Sequence, residues 1–448
     1  MCSMAFGDVR LSARGDWLMD RIVATGSLIL RHVGGARAGE VACHRFLDND
    51  KVDASAILNE LSWRTSAACA GRRVVAAQDT TEVNFSGRDR GRRGLGPAGN
   101  CKALGFFIHP VVAVDAEDEA VLGLVDAEIW TRDGTPKAAR RQRRFEDKGS
   151  RRWLDGAAAA RLGAARQVIV VGDREFDIYP VFARRPDDVE LITRVARNRS
   201  LVSGDLVFDA PLEARGALEV AVGAKPGHKA RRARLRLSAG PVRLARPRNG
   251  AEGEDPDSLT LNLVETVEIA PPKGAKALHW RLYTTLAVDS AEAAAEVVRL
   301  YRLRWRIKEV FRALKSAGLK LEDTQVEAAD RLFKLAALGL GAATRIIQLT
   351  DARDGSPRPA TDVVDANLIE PIAAIGKTLE GNTQRQKNHH PTGSLAWLAW
   401  ITARLGGWNC YYKPPGPKTM ATGWKQLAAM LEGFIMARQL MPRGNELV

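Results

Sequence analysis

The sequence predicts an α/β chain with a helical front, a middle of alternating strands and helices that carries a β-rich insertion, and a helical end. Three observations predict it. Apolar residues recur at three-to-four spacing near both ends, β-branched runs begin near residue 73, and helical periodicity vanishes between about 200 and 287. At 448 residues the chain can hold about three domains and a sizeable core.

The elements follow in order. "GDWLMDRIVATGSLILRHV" and "DASAILNELSWRTSAACA" read as helices, the second capped by Asp53. "RRVVAAQDTTEVNF" is a short apolar strand running into Asp79. "GFFIHPVVAVDAEDEAVLGLVDAEIWTR" reads as two strands joined by a polar turn at residues 115–119. The helix "WLDGAAAARLGAA" precedes the strand "QVIVVGD", which ends at Asp173; another helix and the strand "VELITRV" come next. "ALEVAVGA", "ARLRLSA", "PVRLARP", "LTLNLVETVEI" and "ALHWRLYTTL" are strand-like pieces separated by Gly, Pro and Lys. A long helix then starts at a capping-box-like Asp289-Ser290-Ala291-Glu292 and runs to about Ala317 before Gly318. A further helix, "ADRLFKLAALGLGAATRIIQL", leads to the loop "TDARDGSPRPATD". The expected division is 1–70, 71–355 with the insertion, and a helical 356–448.

Lysine and arginine outnumber acids 67 to 53, a net charge of +14, which favours a polyanionic partner, nucleic acid first. Five scattered cysteines without a CxxC pair argue against a zinc ribbon or a disulfide framework and fit a reducing cytoplasm. The most apolar stretch, "LFKLAALGLGAATRIIQL", carries Lys334 and Arg345, so no membrane span is expected, and the N-terminus lacks a signal pattern. "GLGPAG" fits the letters of a dinucleotide fingerprint, but Pro97 interrupts it and a strand follows, so it reads as a turn. "GKT" at 376–378 lacks the glycine of a phosphate loop, since Pro371 stands five residues earlier. No nucleotide cofactor is expected.

The chemistry-bearing pattern is two aspartates at strand ends, Asp79 and Asp173, plus a late basic helix. Neighbouring strand ends can bring two carboxylates to one pair of divalent ions, and hard oxygen ligands suit magnesium or manganese. Each aspartate alone is better explained as a cap, Asp79 of a turn and Asp173 of the next helix, because a strand-ending Asp is common. Together, in a basic chain whose strand order suggests an RNase H-like sheet, they point to phosphodiester chemistry.

The chain resembles the DDE transposases of bacterial insertion sequences, the IS-four group in its Tn-five-like branch. "GDVRL", "ACHRFLDND", "QDTT", "GLGPAGN", "VGDREFDIY", the helix from Tyr301, "SLAWLAWITARLGGW" and "GWKQLAAMLEGFIMA" carry the resemblance over nearly the whole length. It implies an N-terminal DNA-end-binding domain, an RNase H-like catalytic core with a β insertion, and a C-terminal dimerisation region. It also implies Mg2+-dependent cleavage of double-stranded DNA at element ends (Mn2+ substituting) and strand transfer into target DNA. By resemblance a homodimer assembles on two ends in a cytoplasmic, nucleoid-associated setting, and Asp79 and Asp173 are the first two metal-binding acids.

The branch signature is Tyr, two residues, Arg, three residues, Glu, six residues, Lys. Tyr301, Arg304 and Lys315 match, but the glutamate position is Lys308. These residues are implied to grip terminal phosphates and a displaced base, and Trp280 resembles the aromatic residue that packs on such a base, with ordinary strand packing the alternative. On a helical wheel with Tyr301 at zero, Arg304, Lys308 and Lys315 lie at about 300°, 340° and 320°, whereas Glu309 falls near 80°. Glu309 is the expected third catalytic and metal-binding acid only if the helix is overwound or bulged there. A lysine ammonium cannot ligate magnesium but can bind a phosphate. Two outcomes are open: Glu309 is recruited and the enzyme works, or the chain binds ends and dimerises without cleaving, as a transposition inhibitor would. An RNase H-like nuclease without strand transfer is a third.

Further DNA contacts are expected from Arg194 and Arg197 and from the basic run at 136–153, with Arg10, His44 and Arg45 as end-binding candidates near the N-terminus. Trp424, Leu427, Leu431, Phe434 and Ile435 form an apolar stripe on the final helix, read as core or dimer interface.

Overall fold

The computed structural model describes residues 6–87, 91–132, 145–223, 229–247, 254–315 and 318–440. Part of the basic run, 136–144, lies outside the described residues.

The front is helical because its caps and apolar spacing agree. Helix α1 (Val9–Thr25) is capped by Asp8, which accepts from the Arg10 and Leu11 amides, and Gly26 ends it with a φ of 58°. Helices α2 (Leu30–Gly34) and α3 (Arg37–Leu47) follow. Helix α4 (Ala54–Ala68) starts where expected, with Asp53 accepting from the Ala56 amide at 2.6 Å.

Strands β1 (Arg73–Gln78), β2 (Thr81–Asn84), β3 (Gly96–Ala98), β4 (Ala103–Asp115) and β5 (Val121–Trp130) come next. The polar turn at 115–119 joins β4 to β5, as its composition predicts. Helix α5 (Arg152–Ala159) is shorter than its apolar run. It precedes β6 (Gln167–Gly172), a 3-10 turn (Arg174–Phe176), helix α6 (Tyr179–Arg184) and β7 (Val189–Arg194).

The insertion holds β8 (Glu213–Val222), β9 (Arg231–Ala245), β10 (Ser258–Glu268) and β11 (His279–Thr284). "ARLRLSA" and "PVRLARP" are one strand, not two. Strand β8 pairs β9 only as far as Ala239, so Pro241 sits where β9 has become an edge, and there a proline is tolerated.

Helices α7 (Ala291–Leu303) and α8 (Arg306–Lys315) occupy the stretch expected to be one long helix. They are followed by α9 (Ala329–Ala352), α10 (Ile369–Leu379), α11 (Leu395–Leu405) and α12 (Pro417–Leu440). Helix α9 is long and apolar enough to cross a membrane, but 89% of its apolar window is buried inside the protein, where it serves as a core helix.

All eleven strands belong to one sheet, ordered β2-β4-β1-β6-β7-β11-β10-β9-β8, with β3 and β5 also on β4. Strand β4 runs antiparallel to β1 and β5, while β6 lies parallel to β1 and β7 parallel to β6. The insertion extends this sheet as an antiparallel meander beginning at β7 and β11. Alternate residues of the central strands face opposite cores. Val75, Ala77, Ile169 and Val171 pack with α7, α8, α9 and the terminal helices, whereas Val74, Ala76, Val168 and Val170 pack with α5 and α6. The first of these cores joins both chain ends: Leu18, Phe46 and Ile57 share it with Leu335, Trp400 and Leu427.

Candidate active site

Asp79 directly follows the end of β1, as expected, in a two-residue gap before β2. Gln78 pairs with Val111 and Thr81 with Ile108, so β1 and β2 run along β4 in a single register that is interrupted opposite His109 and Pro110. Pro110 offers no N–H to a ladder, so the break at Asp79 and Thr80 falls where pairing is weakest. Behind the break runs a buried polar chain. His109 Nδ1 meets Thr80 Oγ1 at 2.9 Å, its Nε2 meets Gln78 Oε1 at 3.0 Å, and its ring stands edge-on to Trp153 at 4.4 Å. Burial, assisted by the Arg152 charge, holds the His109 pKa down at about 3.

Asp173 lies beside Asp79. Ala77 pairs with Val171 on the parallel strand, so the two aspartates, each two residues further on, stand level and follow the same face. Asp173 also caps the 3-10 turn, accepting from the Glu175 amide at 2.9 Å. Gly172 is needed there, because a Cβ on it would stand 2.4 Å from that of the fully buried Phe176. The turn brings in an acid the sequence reading missed, Glu175. Its carboxyl is pushed above the usual range by desolvation first and then by the negative charges of Asp173 and Asp79. The signal was an acid two residues beyond a strand-ending aspartate, hidden because the expected helix is a tighter turn.

The facing helix differs from the wheel. Amides of Arg304, Trp305, Ile307 and Lys308 donate to carbonyls three residues back, so the chain is overwound between α7 and α8, about 120° per residue instead of 100°. Overwinding carries Glu309 further from the Tyr301 direction. Its carboxylate accepts from Arg306 at 2.5 Å, and Arg306 also pairs with Asp351, whose carboxylate accepts from the Val121 amide. Asp79 is held by cations instead. Lys308 Nζ lies 2.7 Å and Arg304 Nη1 2.9 Å from Asp79 Oδ2, and the Thr80 amide donates to Oδ1 at 2.8 Å.

The remaining predicted residues divide. Tyr301 is buried, with its ring 6.1 Å from that of half-buried Trp280. Arg194 donates to the His279 carbonyl at 3.2 Å, and desolvation lowers its pKa. Lys315 is committed to the Glu82 carbonyl and to Glu322 at 3.0 Å. Arg197 is exposed, and its amide donates to Asp177, the buried acid that also holds Arg199. Arg10 and Arg45 are exposed and His44 is half-buried. Trp305 was not singled out in the sequence, yet it is 58% exposed beside Arg304.

Expected as metal ligands, Asp79, Asp173 and Glu309 are not gathered into a metal-binding group. Among the described residues no three His, Cys, Asp or Glu side chains converge in that way. With Asp79 holding two cations and Glu309 turned to Arg306, these residues do not fit a pair of magnesium ions. Arg304 and Lys308 both pair with Asp79, and Arg194 lies near Arg304 and Tyr301. No protein-family model matches the chain.

Proposed function

We propose that this chain is a DDE-class transposase protein that binds the ends of an insertion element as a dimer, and that it does not cleave them. The observation that carries the reading is Lys308, whose ammonium occupies the carboxylate of Asp79 where a divalent ion would sit. Three features support the transposase class. Strands β5-β4-β1-β6-β7 have the order and directions expected of an RNase H-like core. Asp79 and Asp173 stand level on its two central strands. Tyr301, Trp280, Arg194 and Arg304 cluster beside them as a phosphate- and base-gripping set.

The test uses duplexes taken from the DNA on either side of the coding sequence, with Mg2+ or Mn2+. The unaltered chain is expected to retard them without cutting, and Lys308→Glu to nick them and to join a pre-cut end to target DNA. Robust cleavage by the unaltered chain, abolished by Glu309→Ala, refutes the silent reading. Cutting by Lys308→Glu without joining indicates a nuclease.

A further inference from the structure

The β insertion carries a row of arginines that the proposed end-binding site does not use. Along β9 exposed and buried residues alternate strictly from Arg232 to Leu237: Arg232, Arg234 and Arg236 are exposed, while Ala233, Leu235 and Leu237 are buried. The buried set faces the same side as Trp280, which packs with Val220, Ala233 and Leu235 and touches Tyr301 of α7. The arginines therefore stand on the opposite face of the sheet, turned away from Asp79.

Among the described residues, Arg232, Arg234 and Arg236 are exposed. Their neighbours across β8 are Ala221, Glu219 and Ala217, all exposed, and Val267 lies across β10 from Arg236. Arg232 has one weak partner, Glu219 at 3.4 Å, with both side chains mostly exposed. Arg234 and Arg236 have no ion-pair partner among the described residues. Glu265, on the same face across from Ser238, is taken up by Arg281 and His279, and Glu268, across from Leu235, is buried and paired with Arg231. Exposed Lys273 and Lys276 lie in the turn between β10 and β11, at the same end of the sheet. Side chains two residues apart on one strand face stand about 6.8 Å apart. Three guanidiniums at that interval on a rigid strand form a straight cationic track with little opposing charge.

We infer that the Arg232-Arg234-Arg236 face is a second, sequence-independent docking surface for a DNA duplex, contacting phosphates only. This rests on the reading of the chain as a DNA-binding protein and adds to it. A duplex on this face cannot be the segment held at Asp79, so one protomer touches two separate stretches of DNA, and the second is met without base readout. Backbone contacts of this kind give affinity and salt dependence but no sequence preference.

The experiment replaces all three arginines with serine in the full chain. It measures the affinity for a random-sequence duplex across a salt series, with circular dichroism and melting to confirm an intact fold. The expected result is a salt slope shallower by about one for each arginine and an affinity reduced about 10- to 100-fold at moderate salt. An Arg→Lys triple variant is expected to keep most of both. An unchanged slope and affinity in the serine variant overturns the inference while the end-binding reading stands. If the unaltered chain binds no duplex at any salt, both fall. A slope change seen with single-stranded RNA and not with duplex DNA also overturns it, as does unchanged affinity with new self-association, which would make the arginines guards of this sheet face.

Discussion

Replacing Lys308 by glutamate should convert a site closed by its own cation into one that responds to added metal. At 2.7 Å and an effective dielectric of about 20, the attraction between Lys308 and Asp79 is about 6 kcal/mol gross. The ammonium is 40% exposed while Asp79 is 8% exposed, so screening and desolvation reduce the net to about 1–3 kcal/mol. Lys308→Glu removes that attraction and sets a second carboxylate against Asp79, a total loss of about 3–5 kcal/mol in metal-free buffer. Unfolding entropy near 2.1 cal/mol/K per residue is about 0.9 kcal/mol/K over 448 residues, so Tm should fall by about 3–5 °C. Adding Mn2+ to about 100 times its Kd should return about 2.7 kcal/mol, or roughly 3 °C. The assay is a melting series in chelator and in increasing Mn2+ for the unaltered chain, Lys308→Glu and Lys308→Met. Methionine removes the charge without supplying a ligand, so it should lower Tm slightly and show no metal response. An equal Mn2+-dependent rise in the unaltered chain, or none in Lys308→Glu, refutes the reasoning.

Two further expectations concern the scaffold behind the site. His109 is neutral when folded, with its pKa at about 3 against 6.5 for the free side chain, so its stabilising contribution is complete above about 6.5 and is lost as pH falls toward 3. Between pH 6.0 and 4.5 the unaltered chain should lose about 2 kcal/mol relative to His109→Gln, read as the difference between their urea midpoints; parallel midpoints would show that His109 is not held neutral. Gly172→Ala drives a methyl into Phe176 beside Asp173 and should cost about 1–3 kcal/mol in urea unfolding. Combined with Lys308→Glu it should also abolish the Mn2+ response, and a retained response would show that the turn does not position Asp173.

Much of the fold was legible because local signals agreed with tertiary needs. The β4–β5 hairpin, the Asp53 cap and the buried α9 each follow from β-branching, cap chemistry or continuous apolarity that the core then uses. Two features were hidden for physical reasons. No Gly or Pro marks the break between α7 and α8, which coincides instead with the contact of Arg304 with Asp79, 225 residues away in the chain. The polar chain through Gln78, His109 and Thr80 likewise depends on register between distant strands, and His109 alone in an apolar run gives no partner to look for. Lys308 was legible because a helical position can be read from spacing within a few turns. Glu175 was not, since its side depends on a turn that spacing does not determine.

Asp79 and Asp173 set an electrostatic requirement that cations fixed to the chain meet. Two carboxylates level on neighbouring parallel strands repel each other, and Asp79 is nearly buried, so something positive must stand beside it. A metal site meets that need with divalent ions. Here Lys308 and Arg304 meet it with charges fixed to the chain, and the overwound junction between α7 and α8 sets Arg304 where it can reach. The two cations balance the charge of Asp79 locally. Without the Lys308 ammonium, Asp79 would be left with Arg304 alone. Lys308→Ala should accordingly be less stable than the unaltered chain and, like Lys308→Met, by the same amount with and without Mn2+; a deficit that shrinks in Mn2+ would show that Asp79 and Asp173 alone hold a metal.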